Sequence, residues 1–305
     1  MVLVAFPDQQ WLDDVGPIDG VESVVWDSDG DPPEGEVEIF IGRYMGGPET
    51  VAVIRDRPSV RLVQVLSAGY EAVLPVLPEG VALANAGGVH NASTAELAVG
   101  LILASQRGLA DFVRAQDKGE WLPRSFRPSL ADRRVLILGY GSIGRSLAQR
   151  LAPFEVELTA VASTARDGDD LIERIHGFDE LDELLPQQEI VVLLTPLTDS
   201  TNGLMDERHL ALLPDDALVV NVSRGPVLST EAALAEAGRL RFALDVTDPE
   251  PLPADHPLWH APGVLISPHV GGVSTAFRPR GVALLREQLR RAASGDDPVN
   301  VVHSG

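Results

Sequence analysis

Short runs of Val, Ile and Leu, separated by clusters of Gly, Pro and Asp, dominate the first hundred residues. These runs are apolar at consecutive positions, a pattern typical of strands in a parallel sheet that is covered on both faces. The helical signals between the runs are weaker. The predicted strands are Val2–Phe6, Val21–Trp26, Val37–Ile41, Val60–Leu66 and Val81–Ala84.

A long, mostly apolar helix is predicted to follow. Ser93 or Thr94 is placed to cap its first turn, and the residues from Ala95 to Leu103 are apolar on nearly all sides. A helix of this kind is usually buried between layers or domains. We therefore place the first crossing between two domains in this helix.

Strands and helices alternate again from residue 135 to the last helix, predicted at about Pro279–Ala293. This alternation indicates a doubly wound α/β sheet. Two domains are predicted. The first contains residues 1–98 and 275–305, and the short tail of the chain packs on it. The second, residues 99–274, is inserted into the first. The strands of the second domain are Val135–Leu138, Glu157–Val161, Ile190–Leu194, Leu218–Val222, Phe242–Val246 and Val264–Ile266.

Composition narrows the functional classes. The chain has 305 residues and a formal net charge of −21, which disfavours nucleic acid and anionic membranes as partners because the field would repel both. No cysteine is present, so disulfides and thiolate chemistry are excluded. Lys118 is the only lysine and no P-loop motif exists. No secretion signal or apolar run of membrane-spanning length is visible, and the expected location is the cytoplasm.

A glycine-rich loop directly follows the strand Val135–Leu138. Gly139, Gly141 and Gly144 are spaced as G-x-G-x-x-G, and a helical segment comes next. In this context the glycines give a tight turn, room for a pyrophosphate and close packing of helix on strand, while the helix N-terminus faces the phosphates. The sequence predicts a dinucleotide site.

The loop after the next strand bears on the choice of cofactor. An NAD enzyme is expected to have a carboxylate about 20 residues after the glycine loop, where it binds the ribose. This chain instead has Ala162, Ser163, Thr164, Ala165 and Arg166. Two hydroxyls and an arginine suit a 2′-phosphate, so NADP(H) is favoured over NAD(H). The alternative is that Arg166 points to solvent, and the acidic run 167–170, expected to be a solvated loop, counts against NADP(H).

Three segments that each follow a predicted strand contain the candidate catalytic groups. They hold Arg224, Glu250 and His269. Reduction of a 2-oxo acid needs a cation for the carboxylate and a proton donor for the carbonyl oxygen. Arginine grips a carboxylate at two points, and a carboxylate beside a histidine favours its protonated form and orients its ring. The hydride would come from the nicotinamide, so no metal is expected.

In these motifs the chain resembles the D-isomer-specific 2-hydroxyacid dehydrogenase family, and within that family the glyoxylate/hydroxypyruvate reductases. The resemblance covers nearly the whole length and includes the segment 85–91. It implies that Arg224 binds substrate, that Glu250 is paired with the catalytic His269, and that Asp245 contacts the nicotinamide carboxamide. It further implies that Ser67, Ala68 and Gly69 bind the substrate carboxylate, and that Ser142 and Ile143 lie on the pyrophosphate. The other residues that it places beside the cofactor are Thr195, Pro196, Thr201, Val222, Ser223, His269, Gly271 and Gly272.

The resemblance also implies the architecture and the assembly. A Rossmann NAD(P)-binding domain is expected to be inserted into a flavodoxin-like substrate-binding domain, with the substrate in the cleft between them, and the protein is expected to be a homodimer to which the Trp121 segment contributes. Tyr70 follows Gly69 where the family often has a smaller residue or an aspartate. Two other functions remain open: a non-catalytic dinucleotide-sensing scaffold similar to the C-terminal-binding-protein corepressors, and a formate- or phosphite-type dehydrogenase.

Overall fold

The computed structural model describes residues 1–305 and contains helices and strands in alternation. The helices are α1 (Gln9–Val15), α2 (Glu49–Ala52), α3 (Asn91–Arg107), α4 (Leu109–Asp117), α5 (Ser142–Leu151), α6 (Leu181–Leu184), α7 (Glu207–Leu212), α8 (Thr230–Glu236) and α9 (Phe277–Ser294). The strands are β1 (Val2–Phe6), β2 (Val21–Val25), β3 (Ile39–Ile41), β4 (Leu62–Gln64), β5 (Ala82–Ala84), β6 (Arg134–Leu138), β7 (Glu157–Val161), β8 (Arg166–Asp167), β9 (Arg174–His176), β10 (Ile190–Leu193), β11 (Leu218–Asn221), β12 (Arg241–Leu244), β13 (Val264–Ile266) and β14 (Val301–His303). None of the helices is both long and apolar enough to cross a membrane.

The chain divides into two compact units. The first unit contains Met1–His90 and Ser274–Gly305, and the second contains Asn91–Val273. The division falls at 90/91 and 273/274, whereas the predicted domain boundaries are 98/99 and 274/275. The first predicted boundary lies inside α3, which is one continuous helix and packs on α5 of the second unit.

The first unit is built on a six-stranded sheet with the order β14-β5-β4-β3-β1-β2. Strands β1 to β5 are parallel, and their order 2-1-3-4-5 is that of flavodoxin-like folds. The chain end returns as β14, which pairs antiparallel with β5. This pairing confirms the prediction that the tail packs on the first domain.

Helices α1 and α9 cover one face of this sheet. Asp8 caps α1 because its carboxylate accepts a hydrogen bond of 2.8 Å from the backbone N–H of Trp11. The Trp11 ring is buried, and a Cβ atom at Gly281 of α9 would lie 2.7 Å from it. Glycine at position 281 therefore allows α9 to approach the tryptophan closely.

The second unit is built on an eight-stranded sheet with the order β13-β12-β11-β10-β6-β7-β9-β8. All neighbours are parallel except β8 and β9. The order runs outward in both directions from β6, as in the Rossmann fold, so the connections reverse direction between β6 and β10. Ligands of such sheets bind beyond the carboxyl ends of the strands at this point.

Helix α3 differs at its start from the prediction. It begins at Asn91, so Ser93 and Thr94 lie buried inside its first turn and are not at the cap. The small side chains Ala95 and Ala98 are fully buried in the core cluster that also holds residues of α5. Small residues allow the two helices to pack closely, and this packing explains why α3 is apolar on most sides.

The acidic run 167–170 is not simply the solvated loop that the sequence predicts. It begins in the antiparallel hairpin of β8 and β9. Asp169 accepts hydrogen bonds from the Tyr140 hydroxyl at 3.0 Å and from the Arg145 guanidinium at 2.6 Å. The sequence pattern misses this because both donors belong to the distant glycine loop and α5.

Candidate functional site

The glycine loop connects β6 to α5 at the carboxyl edge of the second sheet. Gly139 has φ +113°, and a Cβ atom there would lie 2.5 Å from the carbonyl carbon of Leu194. A Cβ atom at Gly144 would lie 2.5 Å from the Gly139 oxygen. At Gly141 a Cβ atom would meet no protein atom within 4 Å. Two glycines thus permit close backbone packing, and the third leaves open space at the start of the helix.

The N-terminus of α5 has donors for an anion. Its cap residue is Gly141, no side chain caps the helix, and no acidic residue lies in its first turn. The backbone N–H groups of Ser142 and Ile143 belong to this first turn, where the helix dipole favours negative charge. The Ser142 hydroxyl donates to Oδ1 of Asn91 at 3.1 Å. These features fit the pyrophosphate of a dinucleotide.

The loop after β10 borders the glycine loop. The backbone nitrogen of Thr195 would lie 2.6 Å from a Cβ atom at Gly139. The Thr195 hydroxyl is buried without a hydrogen-bond partner in the protein, which is costly unless a ligand or water meets it. The Thr201 hydroxyl instead donates to the carbonyl of Pro196 at 2.6 Å. The Thr195 hydroxyl is therefore unpaired beside the glycine loop, whereas the Thr201 hydroxyl holds its own loop.

The loop after β7 contacts the glycine loop through an arginine. Ala162 follows the strand, and Ser163 and Thr164 are exposed. The Nη2 atom of Arg166 donates to the carbonyl oxygen of Tyr140 at 2.6 Å. One guanidinium nitrogen of Arg166 is thus held beside the glycine loop, while the residue as a whole is exposed to solvent.

Asn221 organises the loop that contains Arg224. Its Oδ1 atom accepts the N–H of Ser223 at 3.1 Å and the hydroxyl of Ser223 at 2.7 Å. Its Nδ2 atom donates to the carbonyl of Arg224 at 2.9 Å. Asn221 and Ser223 are buried, as is Val222 between them. The Arg224 guanidinium also donates to the carbonyl of Ser223 at 2.7 Å.

The Arg224 loop packs directly against the loop that follows β12. A Cβ atom at Gly225 would lie 1.9 Å from the carbonyl oxygen of Thr247, so no other residue fits there without movement of the backbone. The hydroxyl of Thr230 donates to the carbonyl of Asp248 at 2.8 Å. These contacts fix the backbone immediately before Glu250.

His269 and Glu250 are brought together at this edge. The Nδ1 atom of His269 lies 2.5 Å from Oε1 of Glu250. A carboxylate only accepts hydrogen bonds, so Nδ1 carries the proton that is shared with Glu250. The other ring nitrogen, Nε2, is then available to a ligand. Both side chains are part-exposed, at 45% for His269 and 40% for Glu250.

Asp245 directly follows β12. It is buried, and its carboxylate accepts hydrogen bonds from Ser267, Val270 and Gly271. Gly271 is buried and Gly272 is partly buried in the same turn. Asp245 therefore contacts the segment that contains His269.

The predicted carboxylate-binding loop lies in the first unit, after β4. The Ser67 hydroxyl donates to the Gly69 carbonyl at 2.6 Å, and Nδ2 of Asn85 donates to the Ala68 carbonyl at 2.7 Å. The carbonyl of Ser67 accepts the N–H of Ala86 at 2.8 Å. The loop is thus held through its carbonyl groups, and no intramolecular hydrogen bond uses the N–H groups of Ala68 and Gly69.

The chain matches the profile of a known protein family. The profile of the family described as D-isomer specific 2-hydroxyacid dehydrogenase, NAD binding domain, matches residues 99–271. The chain belongs to the D-isomer-specific 2-hydroxyacid dehydrogenase family. The family resemblance found in the motifs is confirmed, and the chain is an NAD(P)-dependent oxidoreductase that acts on CH–OH groups.

Relatives of this dehydrogenase include reductases of small acids. A glyoxylate reductase of Thermofilum pendens is 31% identical over 260 residues, which cover 81% of this chain and 76% of that protein. The human glyoxylate reductase/hydroxypyruvate reductase is 28% identical over 292 residues, covering 89% and 88% of the two chains.

A solved structure has the same fold over the full length. The D-isomer specific 2-hydroxyacid dehydrogenase from Xanthobacter autotrophicus Py2, in complex with NADPH and MES, is 27% identical, with a TM-score of 0.83 and coverage of 99% of this chain and 98% of that chain. The predicted α/β class with a Rossmann domain is confirmed.

The sequence pattern assigns no role to several residues that structure these loops. Asn221 braces the Arg224 loop, Ser267 contacts Asp245, and Tyr140 accepts from Arg166. Asn221 and Ser267 do give a weak signal, because each is a polar residue at the carboxyl end of a buried strand. Nothing in the sequence indicates which loop each one contacts.

Proposed function

We propose that this dehydrogenase reduces a small 2-oxo acid of the glyoxylate or hydroxypyruvate type to the D-2-hydroxy acid, with NADPH as the preferred cofactor. The observation that carries the proposal is the 2.5 Å pair of His269 and Glu250 beyond β12 and β13. Arg224 follows the adjoining strand β11. The names of the reductase relatives support the substrate class.

The proposed chemistry uses three side chains of the second unit. The nicotinamide supplies the hydride when it is bound. His269 gives a proton from Nε2 to the carbonyl oxygen, since Nδ1 is turned to Glu250. Glu250 holds the ring in this orientation and balances the charge of its protonated form. Arg224 binds the substrate carboxylate with its planar guanidinium.

One loop of the first unit is a candidate for substrate binding on its own evidence. Ser67, Ala68 and Gly69 form a loop whose carbonyl groups are already bonded, and the N–H groups of Ala68 and Gly69 have no intramolecular partner. Backbone N–H groups are good donors to a carboxylate. We propose that these two N–H groups bind the carboxylate of the substrate.

The preference for NADPH is supported by the loop after β7. No carboxylate follows the strand, and Arg166 is anchored on the carbonyl of Tyr140 at 2.6 Å. The nearby Asp169 and Asp170 are paired with Arg145 at 2.6 and 2.8 Å. One of their two negative charges is therefore balanced by Arg145, which weakens the main objection to a 2′-phosphate beside Ser163, Thr164 and Arg166.

We also propose that two copies associate through α4 and the segment after it. Leu109, Phe112 and Val113 form an exposed apolar face at helical spacing, and Trp121 and Phe126 are exposed in the following segment. Contiguous exposed apolar surface of this kind marks interaction sites. The apolar face of α4 and the exposed apolar side chains after it can pair with the same surface of a second copy across a two-fold axis.

Light scattering of purified protein tests this association. The unchanged chain is expected to have the mass of a dimer, and Val113→Glu the mass of a monomer, because burying a charge in an apolar interface is costly. Leu74→Glu, at an exposed apolar position outside the patch, is the matched control and should stay dimeric. A dimer that persists in Val113→Glu rejects this surface.

The activity is tested by following NADPH absorbance with glyoxylate, hydroxypyruvate and a bulkier phenylpyruvate-type acid. The first two should be reduced, and His269→Ala should lower kcat by about 100-fold or more, because general acid catalysis contributes that much. If neither NADPH nor NADH is oxidised with any acid while dinucleotide still binds, the protein is a dinucleotide sensor and the proposal fails.

A further inference from the structure

The carboxylate of Asp245 receives hydrogen bonds from both sides of His269. Its Oδ1 atom accepts the hydroxyl of Ser267 at 2.6 Å and the N–H of Val270 at 2.9 Å, and its Oδ2 atom accepts the N–H of Gly271 at 2.8 Å. Its backbone carbonyl accepts the N–H of His269 at 2.7 Å. One buried residue directly after β12 thus ties down the turn that follows β13.

His269 itself has few other constraints. Its backbone is in the left-handed region, with φ +53°, which few residues other than glycine adopt without support. Its side chain is 45% exposed, so packing does not fix the ring, and the hydrogen bond to Glu250 holds it from one side only. The direction in which the ring leaves the backbone therefore depends on the turn.

The hydrogen bonds to the Asp245 carboxylate are strong. Hydrogen bonds to an ionised acceptor are shorter and stronger than neutral ones, and Asp245 is buried at 2% exposure, away from competing water. The Ser267 hydroxyl is the only side-chain donor among them, since the others are backbone groups. Ser267 is thus the one contact that a substitution removes without changing the chain trace.

We propose that Ser267 and Asp245 are positioning residues, which hold the 267–271 turn so that His269 meets both Glu250 and the substrate at once. This inference rests on the proposed role of His269. It is compatible with the nicotinamide contact expected of Asp245, because Oδ2 accepts only one of the hydrogen bonds described. Ser267 is the cleaner probe, because no contact with cofactor or substrate is assigned to it.

Kinetics of Ser267→Ala give the first readout. We expect kcat to fall about 10-fold, the lower end of the loss seen when a supporting partner of an active residue is removed, with the KM values for NADPH and the oxo acid within about two-fold of the parent. Ser267→Thr retains the hydroxyl and should recover most of the activity. Ser129→Ala is the control. The Ser129 hydroxyl accepts one backbone N–H and is far from Ser267 in the sequence, so its removal should leave kcat unchanged.

Proton NMR gives a readout that does not depend on turnover. The Nδ1 proton of His269, shared with Glu250 over 2.5 Å, is expected as a far-downfield signal that is absent in His269→Ala. The signal should broaden or disappear in Ser267→Ala and persist in Ser267→Thr and Ser129→Ala. If the alanine variant does not fold, Ser267→Cys replaces it in these measurements, because cysteine has nearly the same volume as serine and its thiol is a weak donor.

The outcomes separate this inference from the proposed function. Loss of kcat and of the signal in Ser267→Ala, with both present in Ser267→Thr, supports the positioning role. A Ser267→Ala enzyme with unchanged kcat and signal overturns it, as does a rise in KM for NADPH without a change in kcat. If His269→Ala keeps full activity, the proposed function fails, whatever the signal does in the serine variants.

Discussion

The Nδ1 atom of His269 lies 2.5 Å from the Oε1 atom of Glu250, although the two residues are 19 positions apart. The residues follow β13 and β12, which are neighbouring parallel strands. The pairing determines which ring nitrogen faces the carboxylate and leaves Nε2 for a substrate. The imidazole of His269 is exposed, and its orientation is fixed by this contact and by the 267–271 turn.

Glu250→Gln is expected to impair turnover more than binding. The amide keeps the shape of the side chain but loses the charge that balances a protonated His269, and it allows the other ring tautomer. We expect kcat with hydroxypyruvate to fall about 100-fold, at the upper end of the loss for a partner of an active group. KM for NADPH should change less than two-fold. Steady-state kinetics at fixed pH measure both, and a normal kcat would reject the role of Glu250.

Arg224→Lys should damage substrate binding although the charge is kept. Lysine lacks the planar fork that binds a carboxylate at two points, so the KM for the oxo acid should rise about 10-fold or more, which corresponds to about 1.4 kcal/mol. Arg280→Lys is the control, because Arg280 is exposed on α9 and donates to the carbonyl of Ala276. An equal KM for the two variants would contradict substrate binding by Arg224.

The cofactor preference is tested by two substitutions in the loop after β7. Arg166→Ala should raise the KM for NADPH about 10-fold and leave the KM for NADH nearly unchanged, because only NADPH has the 2′-phosphate; a lost charge-assisted contact has this order of magnitude. Ala162→Asp places a carboxylate at the end of β7 and should shift kcat/KM toward NADH.

Arg174→Ala is the matched control for the cofactor experiment. Arg174 lies on β9 of the same hairpin and pairs with Glu180 at 3.0 Å. Its loss should affect the two cofactors equally. If Arg166→Ala also affects NADPH and NADH equally, the preference for NADPH has another origin.

The stability of the protein should depend on pH through Asp169. Burial by itself raises the pKa of this carboxyl, but hydrogen bonds from the N–H groups of Leu171 and Ile172 and from the Tyr140 hydroxyl, with the charge of Arg145, outweigh it and lower the pKa below the ordinary 3.8. A lowered pKa means that the stabilisation is present above pH 3.8 and is lost as the pH falls through the folded-state value.

Asp169→Asn removes this pH dependence. Urea unfolding at neutral pH should show a loss of about 1–3 kcal/mol relative to the parent, the size of a hydrogen bond to a charged group. The difference between parent and variant should shrink as the pH is lowered below 3.8, because the carboxyl is protonated in the unfolded chain there and folding then has to release that proton. A difference that stays constant from pH 7 to pH 3 would show that the charge of Asp169 does not matter.

Local patterns identify the cofactor loop and the approximate location of the chemistry. The strand, the spacing of Gly139, Gly141 and Gly144, and the helix after them are adjacent in the chain, so the sequence alone predicts their arrangement. Arg224 and His269 are predicted at one edge because the carboxyl ends of parallel strands lie together. Their catalytic roles stay a prediction that the experiments above address.

The tertiary structure decided which side chains meet. The loop after β12 contains two carboxylates, Asp248 and Glu250, and it is Glu250 that meets His269. The packing of Gly225 against the Thr247 carbonyl fixes the start of this loop. The bonds of Asp245 to Ser267 and of Arg166 to Tyr140 join residues more than 20 positions apart. Hydrophobic periodicity reports burial and element type but carries no information on such contacts, because they depend on strand order and loop conformation.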